Sequence, residues 1–128
     1  RFLEVKDGTG SPELSSIEAY ANNGDKWSQV RVDESTSYEV ETVSLVDLLD
    51  AYDAPEEIQF LSVDTEGSEF EILEGYDFSG RFIHSICVEH NYQSSVRRKI
   101  QSLLLAQGYQ RVFQRVSRID DWYVLPRY

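Results

Sequence analysis

Several residue types are scarce in this chain, and each scarcity excludes a class of protein. Methionine is absent from the 128 residues, and Cys87 is the one cysteine. A single cysteine excludes an intrachain disulfide and a cysteine-rich zinc site, and it suits a reducing compartment. No apolar run approaches the roughly 20 residues of a membrane helix, and no signal peptide is visible at Arg1. We therefore expect a cytoplasmic protein.

Positive charge is also scarce. The chain contains 12 lysines and arginines and 23 aspartates and glutamates, which gives a net charge of −11. Proteins that bind nucleic acid or anionic membranes normally carry a basic face, so neither kind of partner is expected. The simplest interpretation of the acidic charge is a solvated surface that favours solubility.

The chain has the length and composition of one globular domain, with two parts of different character. Residues 1–41 are rich in turn signals and are expected to be irregular, with strand-like pieces at Phe2–Val5 and Gln29–Val32. Residues 42–128 alternate between patterns typical of strands and helices. The missing methionine and the abrupt apolar start suggest a processed chain or a piece of a longer one.

Three helices are predicted in the second part, each behind a serine that can cap it. Apolar spacing predicts helices at 45–52, 69–74 and 96–107. The predicted N-cap residues are Ser44, Ser68, and Ser94 or Ser95.

Apolar and β-branched runs predict the strands. Residues 58–63 and 82–89 read as buried parallel strands. Residues 109–116 and 122–125 read as an antiparallel hairpin. The predicted fold class is therefore α/β, with a largely parallel central sheet and a C-terminal antiparallel hairpin.

Ligands of open α/β sheets bind beyond the carboxyl ends of the strands, and this rule selects two clusters. The residues that follow the two predicted central strands are Asp64, Thr65, Glu66 and Gly67, and then Glu89, His90 and Asn91. Such a group can bind a cationic or hydroxyl-rich ligand, hold a divalent ion through oxygens, or supply a general base. The alternatives are that Asp64 and Glu66 cap the next helix and that His90 is a hydrogen-bonding scaffold residue.

Other features carry weaker signals. A strand-like stretch at 3–10 leads into glycines, and Asp33 lies about where a ribose-binding acid would, but the dinucleotide motif is incomplete. Residues 97–99 put three positive charges in the first turn of the predicted helix 96–107, where they oppose the helix dipole. The simpler interpretation of these charges is a solvated helix face. Cys87 is expected to be a small buried core residue.

Three stretches together resemble the FkbM family of S-adenosylmethionine-dependent methyltransferases. They are TVSLVDLLD at 42–50, IQFLSVDTEGSEFEILEGYDF at 58–78, and FIHSICVEHN at 82–91. The ending GYQRV…DDWYV is also similar to that family. The resemblance is good over residues 36–128 and loose over residues 1–35.

The resemblance implies a Rossmann-like sheet of which this chain holds a part. Residues 58–63 would be the fourth strand, 82–89 the fifth, and the hairpin the end of the sheet. The strands that carry the cofactor's glycine loop would precede Arg1, so the chain is expected to be the carboxyl-terminal part. A sheet edge left uncovered in this way could support a dimer.

The resemblance also implies the chemistry, which is methyl transfer from S-adenosylmethionine to a hydroxyl of a small molecule or sugar. Asp64 and His90 are the implied catalytic residues, and no metal is implied. Asp64, Thr65, Glu66 and Gly67 would contact the cofactor. Glu66, Glu89, His90 and Asn91 would contact the substrate. Two alternatives stay open: a non-catalytic binding or assembly module that keeps the fold, and an enzyme that uses a divalent ion at the acidic edge.

Overall fold

A computed structural model describes residues 1–5, 14–22, 24, 27–33 and 35–126. The chain divides into two compact units. One comprises Arg1–Thr42 with Thr65–Ser68, and the other comprises Val43–Asp64 with Glu69–Tyr128.

The first unit contains a small antiparallel sheet. Strand β1 (Phe2–Val5) lies between β2 (Ser16–Ile17) and β3 (Ser35–Tyr38). Leu3 and Val5 alternate inward and are buried, as a half-buried strand requires. The prediction of a strand at Phe2–Val5 is confirmed, and this region is more regular than its turn signals indicated.

The predicted strand at 29–32 is wrong, because this stretch lies in helix α1 (Ser28–Asp33). The two valines that suggested a strand are two residues apart, a spacing too short to fix the period. The helix directs Arg31 inward, where its side chain is completely buried. A polar residue on the buried side of a six-residue helix gives no apolar signal in the sequence.

The second unit is built on a four-stranded sheet in the order β5-β7-β9-β8. Its strands are β5 (Leu61–Val63), β7 (Ser85–Glu89), β8 (Gln110–Val112) and β9 (Asp120–Val124). β5 and β7 are parallel, whereas β9 is antiparallel to both β7 and β8. The prediction of parallel central strands and a terminal hairpin is confirmed. β5 forms one edge of the sheet, and a dimer through such an edge stays a prediction.

Both predicted central strands are interrupted. A separate parallel pair, β4 (Glu57–Ile58) and β6 (Phe82–Ile83), precedes β5 and β7. At the interruption the Ser85 hydroxyl donates to the Gln59 carbonyl oxygen over 2.8 Å, so a side chain replaces a backbone donor. Apolar content alone does not reveal such a break, because a hydroxyl can continue the hydrogen bonding.

Helices α2 (Leu45–Ala51), α3 (Glu69–Glu74) and α4 (Ser94–Ala106) accompany this sheet. Ser44 caps α2 as predicted, since its hydroxyl accepts from the Asp47 backbone N–H over 3.1 Å. The predicted caps of α4 are wrong, because Ser94 begins the helix and Gln93 is its N-cap residue. Buried apolar residues from the sheet and helices form one core: Val63, Leu73, Tyr76, Ile83, Ile86, Val88, Ile100, Leu104, Tyr109 and Tyr123.

Candidate functional site

The carboxyl ends of β5 and β7 bring two acidic side chains together. Val63 pairs with Val88 in the parallel register, so the residues that follow them, Asp64 and Glu89, are neighbours. Oxygens of the two carboxyl groups lie within 4.8 Å of one another. A hydrogen bond joins the two side chains when one of them carries a proton. Asp64 is exposed, whereas Glu89 is buried. The two strands therefore present one accessible carboxylate supported by one buried carboxylate.

Asp120 extends this group to a third strand. It opens β9 and pairs with Glu89 in the antiparallel register. Asp64, Glu89 and Asp120 thus lie side by side on three neighbouring strands, and we call them the carboxylate rim. Sequence reasoning missed Asp120, because the DD pair was assigned to a hairpin link rather than to the start of a strand.

The electrostatics of the rim keep Asp64 protonated to a higher pH than usual. Partial burial is the largest cause of its raised pKa, followed by the negative charge of Glu69. The hydrogen bond with Glu89 acts in the opposite direction, and the charge of Asp120 raises the pKa further. Among the described residues, no basic side chain forms an ion pair with Asp64. A carboxylate of this kind can accept a proton, bind a cation, or ligate a hard metal ion through oxygen.

The loop residues 65–68, which belong to the first unit, have a special backbone. Glu66 has a φ of 57° and Gly67 a φ of 125°, both in the region that favours glycine. The Thr65 and Ser68 hydroxyls are hydrogen-bonded over 2.8 Å. A non-glycine residue in the left-handed region costs about 1–2 kcal/mol. Such conformations are concentrated at functional sites, although strain alone does not assign a function.

Glu66 has a partner that sequence reasoning did not identify. Its carboxylate forms an ion pair with the guanidinium of Arg31, whose Nε also donates to the Leu14 carbonyl oxygen over 3.0 Å. Arg31 is completely buried, so its charge depends on these partners. The predicted contact of Glu66 with cofactor or substrate stays a prediction, and its observed role is to neutralise Arg31.

His90 is buried rather than presented at the surface. Its Nδ1 accepts a hydrogen bond from the Tyr92 backbone N–H over 3.1 Å, so the neutral ring carries its proton on Nε2. Nε2 lies 3.7 Å from Asp121 Oδ1. Burial lowers the pKa of His90, although the charge of Asp121 acts in the opposite direction. This arrangement suits a neutral scaffold histidine, and catalysis by His90 stays a prediction.

The residues after His90 form a second strained turn. Asn91 and Tyr92 have φ values of 44° and 59°. The N–H groups of His90 and Asn91 both donate to the Ile119 carbonyl oxygen, over 2.8 and 3.2 Å, so the turn is fixed to the loop before β9. Asn91 is half-buried, and the Tyr92 side chain is 64% exposed. The predicted substrate contact of Asn91 stays a prediction.

A buried cluster of charges lies behind the rim. Asp121 is 1% exposed and accepts hydrogen bonds from Arg97 Nε and one Arg97 Nη, each over 2.8 Å, and from Arg111 over 2.7 Å. Burial opposes ionisation of Asp121, but the bonds and charges of the two arginines outweigh it and lower its pKa. We call Asp121, Arg97, Arg111 and His90 the Asp121 cluster. Arg97 was interpreted as part of a solvated face, which is wrong because it holds this buried carboxylate.

Two further candidates from the sequence have no part in the rim chemistry. Burial raises the pKa of the Cys87 thiol to about 11, so the thiol is neutral at physiological pH. Asp33 ends a helix instead of following a strand, and it accepts a 2.6 Å hydrogen bond from Gln29. The ribose-binding interpretation of Asp33 is therefore wrong, and most of the accompanying glycine stretch, residues 6–10, lies outside the described residues.

None of the helices in the described ranges combines the length and apolar character that crossing a bilayer requires.

Comparison with known proteins identifies a family for this chain. The family model described as the Methyltransferase FkbM domain matches residues 3–111. The match contains β5, β7 and the loops that follow them. It includes residues 3–35, over which the resemblance is loose, and it ends before residues 112–128, which the resemblance also covered. No curated protein and no solved structure matches the chain significantly. Since the match covers most of the chain, this protein belongs to the FkbM methyltransferase family.

Proposed function

We propose that the chain forms the acceptor side of an S-adenosylmethionine-dependent O-methyltransferase whose substrate is a hydroxyl of a small molecule or sugar. The observation that carries the proposal is the pair of Asp64 and Glu89. It combines an exposed carboxylate of raised pKa, a buried carboxylate hydrogen-bonded to it, and a position at the strand ends where open α/β sheets bind ligands.

The sheet supports a Rossmann-like assignment for the second unit. The resemblance implies that the fourth and fifth strands of such a sheet are parallel neighbours, followed by a terminal hairpin. β5 and β7 form that parallel pair, and β9 and β8 form the hairpin beside it. On this assignment the carboxylate rim lies at the ligand-binding end of the sheet.

The charge of the rim fits the cofactor. S-adenosylmethionine, when bound, supplies a methyl group carried on a positively charged sulfur. Asp64 has no cationic partner among the described residues, and its pKa is raised first by burial and then by the negative charges of Glu69 and Asp120. A positive charge nearby would relieve this repulsion and return the pKa of Asp64 toward its ordinary value.

Asp64 is the proposed general base. An exposed oxygen of Asp64 can accept a hydrogen bond from the acceptor hydroxyl. It then takes the hydroxyl proton as the hydroxyl oxygen becomes methylated. When the Asp64 and Glu89 pair carries one proton, the hydrogen bond between them keeps the Asp64 side chain in one orientation, which reduces the positional freedom lost in the reaction.

His90 has a different proposed role. Its Nδ1 accepts from the Tyr92 N–H, and its Nε2 lies buried 3.7 Å from the Asp121 carboxylate, without a hydrogen-bond partner among the described residues. We assign His90 to positioning the turn that follows β7, where Asn91 and the exposed Tyr92 would contact the acceptor. Thr65 and Gly67 stay proposed cofactor contacts.

The test uses the longest polypeptide that the gene encodes and a panel of sugar and small-molecule hydroxyl acceptors. We expect transfer of radiolabelled methyl from S-adenosylmethionine to at least one acceptor. Asp64→Asn should lower kcat by about 10²- to 10⁴-fold, the usual contribution of a general base. Asp53→Asn is the matched control, because Asp53 is exposed in a turn away from the strand ends.

Calorimetry with S-adenosylmethionine separates this proposal from its alternative. Neither binding nor transfer by the full polypeptide would overturn the methyltransferase proposal and favour a non-catalytic module that keeps the fold. Transfer that survives unchanged in Asp64→Asn would overturn the role of Asp64 alone. A requirement for added magnesium would instead favour the metal-dependent alternative.

A further inference from the structure

Strand β8 and the loop that leads from it to β9 have a charge opposite to that of the chain. Residues 110–119 contain Arg111, Arg115 and Arg118 and no acidic residue, although the whole chain carries −11. Among the described residues, no carboxylate forms an ion pair with Arg115, which is exposed. Residues 110–119 are therefore a local cationic segment on an acidic protein.

An aromatic ring is displayed at the tip of the hairpin formed by β8 and β9. Phe113 has a φ of 55°, which is rare for a bulky residue, and its side chain is 63% exposed. Its carbonyl oxygen accepts from the Val116 N–H over 2.9 Å, and from the N–H and hydroxyl of Ser117 over 3.0 Å each. Three hydrogen bonds therefore hold a strained conformation that exposes a large apolar side chain.

Phe113 belongs to a row of three rings. Trp122 stacks on Phe60 with centroids 5.7 Å apart and planes 17° apart. Phe113 meets Trp122 edge to face at 6.3 Å. Phe60 is 49% exposed, so both ends of the row are open to solvent. Exposed aromatic side chains that are ordered and contiguous are typical of ligand or partner surfaces.

A cleft of about 570 Å³ lies beside this row, within the range of small-molecule sites. Its walls include Arg111, Val112, Phe113, Arg115, Val116 and Val124. The Arg111 guanidinium is fixed by its 2.7 Å bond to Asp121, while its Nε has no hydrogen-bond partner among the described residues. The cleft thus combines an apolar wall, one immobile arginine and one unpaired arginine.

We propose that this cleft binds a small aromatic anion. The ring of the ligand would pack against Phe113 and the valines, and its carboxylate or phosphate would meet the forked guanidinium of Arg115. Arginine suits both head groups because its planar donors match two oxygens at once. A polyanionic macromolecule is disfavoured, because the chain as a whole carries a net charge of −11.

The test is a titration of the isotope-labelled chain, followed by backbone amide NMR. The probes are 2-naphthoate, 2-naphthyl phosphate and, as the uncharged match, 2-naphthalenemethanol. We expect both anions to shift the amide signals of residues 111–116, with the uncharged probe binding more weakly. Either anion suffices to support the site, and their relative affinities identify the preferred head group. The binding needs neither cofactor nor methyl transfer, so its outcome is independent of the proposed function.

Matched variants make the assignment specific. Arg115→Gln should weaken anion binding roughly two- to fivefold, the range for an exposed ion pair, whereas Arg118→Gln should not. Phe113→Asn tolerates the positive φ while removing the ring, and it should weaken all three probes, unlike Tyr52→Ala. Equal binding of the charged and uncharged probes, or shifts confined to other residues, would overturn the proposal. Loss of affinity in Arg118→Gln equal to that in Arg115→Gln would also overturn it.

Discussion

Asp120 and Asp121 are consecutive in β9, yet they belong to regions of opposite character. Asp121 is 1% exposed and holds two arginines, whereas Asp120 is half-buried in the carboxylate rim beside Glu89. Alternation along a strand sends the two side chains to opposite faces of the sheet. The same residue type therefore contributes to structure on one face and to a candidate site on the other.

Burial raises the pKa of both Asp64 and Asp121, and the two carboxyl groups differ in the charge of their partners. Burial alone would raise the pKa of the more buried carboxyl, which is Asp121. The order is reversed, because the arginines lower the pKa of Asp121, while burial and Glu69 raise that of Asp64. A carboxylate that lacks a cation is available for chemistry, and one that is held by cations is not.

The largest expected effect concerns Asp121. Asp121→Ala would leave the guanidinium groups of Arg97 and Arg111 without their carboxylate, and breaking a buried ion pair costs about 3–5 kcal/mol. Asp120→Ala, one residue away, should change the free energy of unfolding little. Urea denaturation followed by Trp fluorescence measures both values. Equal costs for the two variants would remove the distinction between the cluster and the rim.

The second prediction compares neighbouring arginines of α4. Arg97 donates two hydrogen bonds to Asp121, whereas Arg98 is exposed. Arg97→Ala should cost about 1.5–3 kcal/mol, the range for hydrogen bonds to charged groups. Arg98→Ala should stay within about 0.5 kcal/mol, as surface substitutions do. A combined Arg97→Ala and Asp121→Ala variant should cost less than the sum of the two single changes, because both remove the same interaction.

Much of the second unit could be predicted from local patterns. Apolar spacing gave the helices, and Ser44 caps α2 as its position indicated. The breaks within the central strands could not be predicted, because they depend on the Ser85 hydroxyl reaching the Gln59 carbonyl from another part of the chain. The helix at Ser28–Asp33 was missed because its inward residue, Arg31, is charged.

Two of the three residues of the carboxylate rim could be predicted from the sequence. Asp64 and Glu89 each follow an apolar run, so the strand-end rule finds them. Asp120 could not be found in this way, because it begins a strand and joins the rim only through antiparallel pairing with Glu89. The partnership of Arg31 with Glu66 joins residues 35 positions apart, and that of Arg97 with Asp121 joins residues 24 apart. No local pattern encodes contacts of that separation.

A third, smaller effect tests the buried histidine of the Asp121 cluster. Because burial lowers the pKa of His90 below 6.5, the unfolded chain binds a proton on acidification before the folded chain does. The stabilising contribution is therefore present above pH 6.5 and is lost as the pH falls toward the folded pKa. His90→Asn keeps an acceptor for the Tyr92 N–H and removes the titration, so thermal stability should depend less on pH between 7 and about 5. If His84→Asn removed the pH dependence and His90→Asn did not, the prediction for His90 would be wrong.

The smallest expected effect lies at Asp64 and has the opposite sign to that at Asp121. The folded pKa of Asp64 is raised above 3.8, so its contribution to stability is full below that pH and is lost as the pH rises through the folded pKa. Asp64→Asn removes the ionised form and should raise the unfolding free energy at pH 7, by at most about 0.5 kcal/mol because the side chain is exposed. The gain should shrink as the pH is lowered toward 3.8, and Asp53→Asn serves as the control. A loss of stability in Asp64→Asn at pH 7 would mean that the folded protein supplies a positive charge to Asp64, and the rim would then resemble the Asp121 cluster instead of differing from it.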